Sequence, residues 1–212
     1  MAIAATPSAD RVVILPNISW ETYRKISVET HLASRVRLTY DRGCLQIMTL
    51  SSRHELPNRL LSALVREAAK QLRLELCESG STTLDREDLE RGCEPDTSFY
   101  FRNVSAMMAK EIDIRTDPPP DLIIEVDITR HSLNKLPLFA ALGISEVWRY
   151  DGKRIHFLLL QDGAYLATTQ SRWLAPLTAD AATQLLDQGL QEPDPGVWSE
   201  AIRGWFESAG VV

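Results

Sequence analysis

Cysteine is scarce in this sequence: Cys44, Cys77 and Cys93 stand far apart, odd in number and without a CxxC pair. Such usage suggests neither a disulfide framework nor a zinc site, so all three are expected to be reduced, partly buried small residues. Long hydrophobic runs are missing too. None approaches the roughly 20 apolar residues of a membrane helix, and the opening MAIAATPSADR has neither the basic stretch nor the apolar core of a leader. A cytoplasmic protein without membrane contact is expected. Basic surplus is also absent, since 23 Lys and Arg face 29 Asp and Glu for a net charge of −6. That balance argues against a nonspecific nucleic-acid coat but leaves room for a local basic groove. There is no internal repeat and no low-complexity tract. What remains is a chain of 212 residues, 44% apolar and 25% charged, which reads as a single soluble domain over residues 1–212 with a substantial core.

The pattern along the chain alternates helices and strands. A short capped helix is expected over Ile18–Val28, then two strands, Arg35–Tyr40 and Cys44–Leu50, joined by Asp41-Arg42-Gly43 as a hairpin. Apolar residues at helical spacing from Leu56 to Leu72 predict a long helix over His54–Leu74, with Pro57 acceptable only in its first turn. Leu74–Leu84 reads as strand, Asp85–Arg91 as exposed loop, Pro95–Phe101 as strand and Asn103–Glu111 as a short helix. Pro118-Pro119-Pro120 launches a central strand, and a helix carrying Lys135 and capped at Ser132 ends at Gly143. Glu146–Tyr150, Arg154–Leu160 and Tyr165–Thr168 read as antiparallel strands turning at Asp151-Gly152 and Asp162-Gly163. Helices over Ala179–Gln188 and Pro195–Glu207 close the chain. The order implies an α/β fold, a mixed sheet flanked by helices.

The central stretch, DLIIEVDITRHSLNK from Asp121 to Lys135, carries the chemistry. Side chains alternate along a strand, so Asp121, Glu125 and Asp127 share one face with Ile123 while Leu122, Ile124 and Val126 share the other. Three carboxylates so placed repel one another and cost several kcal/mol each to desolvate unless a cation, proton or donor compensates them. A divalent metal held by oxygen ligands is the economical answer. If neighbouring strands bring Asp96 opposite Glu125, with about 4.5 to 5.5 Å between Cβ atoms, one Mg²⁺, or Mn²⁺, fits between them. The alternative, Asp96 in a turn and Glu125 paired with an arginine, stays open at this point. Lys135 could orient water and stabilise charge on a phosphate, and Glu55 could hold a second metal or its water. His54 and His131 lack metal-ligand spacing and read as bystanders; Trp20, Trp148, Trp198 and Trp205 read as packing residues.

Three blocks, His54-Glu55, GSTTLDREDLERGCEPD ending at Asp96, and PPPDLIIEVDITRHSLNKLPLFAALGISEVWRYDG ending at Gly152, resemble the Uma-two family of restriction-endonuclease-like proteins, within the PD-(D/E)XK nuclease superfamily. The resemblance implies a restriction-endonuclease-like core with an N-terminal hairpin and C-terminal antiparallel strands. It also implies Asp96 and Glu125 as metal-binding acids, Asp127 where the usual motif has its lysine, Lys135 as the replacement from the next helix, and Glu55 as the acid of the first helix. Arg130 and His131 depart from it, standing where members more often carry small residues. The expected activity is Mg²⁺-dependent, or Mn²⁺-dependent, endonucleolytic hydrolysis of DNA by a homodimer, with Asp96, Glu125 and Asp127 on the metal. The competing expectation is an inactive nuclease-fold module that binds nucleic acid or a protein.

Overall fold

The computed structural model describes residues 10–30, 35–108, 110–128 and 133–211. The chain runs β1 (Arg11–Leu15), α1 (Trp20–Thr30), β2 (Val36–Asp41), β3 (Cys44–Thr49), α2 (Ser52–Gln71), β4 (Cys77–Gly80), β5 (Leu84–Arg86), β6 (Arg91–Cys93), β7 (Thr97–Tyr100), α3 (Val104–Met107), β8 (Leu122–Val126), α4 (Leu136–Leu142), β9 (Glu146–Tyr150), β10 (Ile155–Gln161), β11 (Ala164–Thr168), α5 (Ala179–Gln191) and α6 (Pro195–Ser208). A turn of 3₁₀ helix, Glu87–Leu89, lies between β5 and β6.

The strands form two sheets rather than one. The first, ordered β1-β3-β2-β6-β5, is antiparallel throughout and contains the expected hairpin. The second, ordered β11-β10-β9-β8-β7-β4, is mixed: β8 and β9 run parallel, and the other neighbours are antiparallel. A parallel pair needs a crossover, which α4 supplies. One face of this mixed sheet, through Phe99, Leu122, Ile124 and Trp148, packs on α2, α5 and α6. The other, through Ile123 and Val147, meets α4 and the β5–β6 edge of the first sheet. Strand β8 is therefore buried along its whole length, and the expected alternation of its two faces holds.

Several expectations fail for identifiable reasons. Asp85–Arg91 is no exposed loop: β5 and β6 sit on either side of the turn, paired to each other and, through β6, to β2. Gly92 makes this possible, because a Cβ there would collide with Asp85 and with the Tyr23 hydroxyl, which donates to Asp85 at 2.6 Å. The strand foreseen over Leu74–Leu84 shrinks to Cys77–Gly80 and ends in a register shift at Gly80, which takes a positive φ of 59°. The short helix foreseen over Asn103–Glu111 is only Val104–Met107. The long helix starts two residues early, since the Ser51 carbonyl already accepts from the His54 and Glu55 amides, and Pro57 then lies inside it. Strand β1 has no counterpart in the expectations at all. Conversely, the turns at Gly43, Gly152 and Gly163 and the stop at Gly143 all take the positive φ their residues permit. The three cysteines are free, with Cys77 and Cys93 buried and Cys44 partly so.

Candidate active site

The register of β7 against β8, with Thr97 opposite Ile124, brings Asp96 to the end of β8 where Glu125 stands. Asp96 is 4% and Glu125 6% exposed, so both carboxylates are out of water and must be compensated by neighbours. Asp96 Oδ2 accepts the Val126 backbone N–H at 2.8 Å and lies 3.1 Å from His54 Nε2, off the line of an ideal hydrogen bond. Glu125 Oε2 accepts from Lys135 Nζ at 2.6 Å. The second oxygen of each, Asp96 Oδ1 and Glu125 Oε1, is buried with no hydrogen-bond partner among the described residues.

The electrostatics follow from this crowding. Burial pushes the Glu125 carboxyl up to about 7, only partly offset by Lys135. Burial works the same way on Asp96, but His54, Lys135 and the Val126 amide outweigh it and hold that carboxyl below its ordinary value. Burial alone would lower Lys135; Glu125 and Asp96 reverse the direction and raise it. His54 likewise ends raised, because Asp96, with Asp10 and Glu125, overcomes the burial that favours its neutral form.

The three carboxylates foreseen on one face of β8 meet three different cations. Asp121, at the far end, accepts from the Phe101 and Arg102 amides at 2.9 and 2.8 Å and from Arg102 Nε at 2.8 Å. It is a tie between β8 and the segment after β7, remote from Asp96. Glu125 takes Lys135 rather than an arginine. Asp127 accepts from Arg149 Nη2 at 2.7 Å and lines, with Glu125, Lys135, Phe139, Val147 and Arg149, a cleft of about 570 Å³. Glu55 does not converge on them: its carboxylate is 3.7 Å from Arg59, one turn along the same helix. Lys135 is the residue just before α4 rather than in its first turn, with Pro137 starting the helix behind it. Ser132, Arg130 and His131 lie outside the described residues.

His54 was misjudged by spacing rules. The signal for it lies in α2, where polar residues recur at His54, Asn58 and Ser62 on the inward face of a helix, every four residues, all buried. Ser62 Oγ and Asn58 Oδ1 lie 3.1 and 2.9 Å from the Thr97 hydroxyl, and Asn58 Nδ2 donates to the Asp96 carbonyl at 3.4 Å. An inward polar stripe is costly unless it holds something, and this one holds the Asp96 strand entry.

The family model described as "Putative restriction endonuclease", Uma2, matches residues 20–189. The chain belongs to the Uma2 family. Among solved structures, that of a putative nuclease belonging to DUF820 from Anabaena variabilis ATCC 29413 is similar, with a TM-score of 0.51 at 12% identity, covering 70% of this chain and 90% of that one. At that identity the likeness is one of fold, and it places this Uma2 chain on a nuclease-type architecture. No curated protein sequence matches. Among the described residues no helix is long and apolar enough to cross a membrane, and no three His, Cys, Asp or Glu side chains stand close enough to enclose an ion by themselves. The donor set nonetheless suits a hard cation. Two unpartnered carboxylate oxygens in a buried site, beside an open cleft, match the preference of Mg²⁺ for one or two carboxylates with water completing its shell.

Proposed function

We propose that this Uma2 protein is a Mg²⁺- or Mn²⁺-dependent endonuclease hydrolysing DNA phosphodiester bonds. The observation that carries the reading is the pair of orphaned buried oxygens, Asp96 Oδ1 and Glu125 Oε1. Leaving such groups without a hydrogen bond costs roughly 1–3 kcal/mol or more each, a cost that a bound ion or water can relieve. Asp96 and Glu125 would hold the ion, and Asp127, bonded to Arg149 in this structure, would add an oxygen on the cleft side only by turning toward them. When bound, the ion supplies positive charge against the scissile phosphate and makes water more acidic. Lys135, whose side chain is only 11% exposed and already faces Glu125, keeps its ammonium at the site to orient the attacking water and balance charge gathering on the phosphate. Arg149 at the cleft rim offers a guanidinium to the DNA backbone. Glu55 assists only by turning away from Arg59. Cutting both strands of a duplex calls for two sites, so the reading includes a homodimer, checked by light scattering at micromolar concentration.

The decisive experiment is cleavage of plasmid and of single-stranded DNA by wild-type protein in Mg²⁺ and in Mn²⁺, with Glu125→Gln as the control. Cleavage lost in Glu125→Gln supports the reading. Failure of the wild type to cut under any of these conditions overturns it and leaves the nuclease-fold binding module, which the net charge of −6 suits if the partner is a protein.

A further inference from the structure

His54 is a wholly buried side chain for which the proposed chemistry has no direct use. Its Nε2 lies 3.1 Å from Asp96 Oδ2, a close contact off the line of a hydrogen bond, and Nδ1 too is buried without a hydrogen-bond partner among the described residues. The Val126 amide holds the same Oδ2. The amide hydrogen bond and the imidazole contact thus fall on the same oxygen of Asp96, and neither falls on the other. The backbone of Asp96 is gripped from the same helix, one turn on, by Asn58, and Ser62 fixes Thr97 a further turn along. A carboxylate free to rotate would present either oxygen, or both, to a cation; one whose Oδ2 is bonded by the Val126 amide and faced by His54 presents Oδ1.

We propose that His54 is a positioning residue: its Nε2–H fixes Oδ2 of Asp96, so that Oδ1 is the oxygen offered to the divalent ion. This rests on the reading of Asp96 and Glu125 as the ion-holding pair. Loss of such an outer partner of a metal-binding carboxylate typically weakens metal binding about 10- to 100-fold. The two ring nitrogens can be tested separately, because a glutamine amide nitrogen reaches about as far as Nε2 and an asparagine amide nitrogen about as far as Nδ1.

The test is Mn²⁺ titration calorimetry on the full chain, comparing wild type with His54→Ala, His54→Gln and His54→Asn, each checked for folding by circular dichroism. Affinity is expected to fall about 10- to 100-fold in His54→Ala and His54→Asn and to recover to within about threefold of wild type in His54→Gln. Should His54→Ala fail to fold, the contrast between Gln and Asn carries the test, as both keep an amide in the same buried space. Wild-type affinity in a folded His54→Asn overturns the proposal, and so does a folded His54→Gln as weak as Asn, which would make the imidazole itself a ligand. A wild type that binds no Mn²⁺ overturns the ion-holding reading and this inference with it.

Discussion

Asp121 and Glu125 stand four residues apart on the same face of β8, 2% and 6% exposed, and their surroundings treat them in opposite ways. Asp121 has every need met: two backbone amides on Oδ2 and the Arg102 guanidinium on Oδ1. Glu125 has one oxygen on Lys135 and the other unpartnered, next to an Asp96 in the same condition. Burial is thus shared by a fully bonded and a partly bonded carboxylate. What separates them is whether hydrogen bonding is complete, and the incomplete end is the one that opens on the cleft.

The sharpest way to break this contrast is to remove charge at each end in turn. Asp96→Asn and Glu125→Gln should each abolish Mn²⁺ binding in calorimetry and cut cleavage about 10³-fold or more, whereas Asp121→Asn should bind Mn²⁺ as wild type does. Equal loss from Asp121→Asn would erase the difference between the two ends. Next in size, Lys135→Ala should lower the cleavage rate about 10²- to 10³-fold while leaving Mn²⁺ affinity within about threefold. Equal rates for this variant and wild type would remove the lysine from the chemistry.

Stability should run the other way along the strand. Asp121→Ala strips the acceptor from the Phe101 and Arg102 amides and should cost about 2–3 kcal/mol, read as a lower urea midpoint. Glu125→Gln should cost less than Asp121→Ala, because the amide oxygen can still accept from Lys135 and the repulsion between Glu125 and Asp96 is removed. The smallest effect concerns a carboxylate at an exposed turn. Burial works to raise Asp151, but His156 and the Arg154 and Lys153 amides outweigh it and hold its carboxyl at about 2. A depressed carboxyl contributes stability that is present above its ordinary value near 4 and fades as pH falls through about 2. With 40% of that side chain in solvent, the contribution is screened to about 0.5 kcal/mol. Asp151→Asn should flatten the acid limb of the unfolding curve by that amount and no more.

What could be read from residues alone was what local chemistry decides. Gly43, Gly143, Gly152 and Gly163 marked turns and a helix end because those positions need positive φ, and β8 stood out by its alternation. β5 and β6, three residues each, pair with each other but join a sheet only through β6 and β2, a strand some 50 residues earlier in sequence, and nothing local announces that. At the site, Asp96 and Glu125 were legible as a pair, and Lys135 stood out as a cation near the strand end, with the family resemblance adding to that; in the structure it lies 2.6 Å from Glu125. Glu55 and His54 point apart for one reason: neighbours on a helix stand about 100° apart. Once His54 faces Asp96, Glu55 is turned aside toward Arg59.

Helix α2 grips Asp96 at its first turns and buries Leu61, Leu64 and Val65 in the core shared with α5 and α6. Both helices follow the residues of the site in sequence. When Lys135 is joined, some 70 residues are still to be added before α6 is complete, about 4–15 s at ordinary elongation rates. Over that interval α2 has only the sheet to lean on, and the pieces of the site exist without the packing that sets their spacing. If the proposed nuclease reading holds, a chain truncated before α5 is therefore expected to carry every acid and base of the proposed centre and yet not to cut.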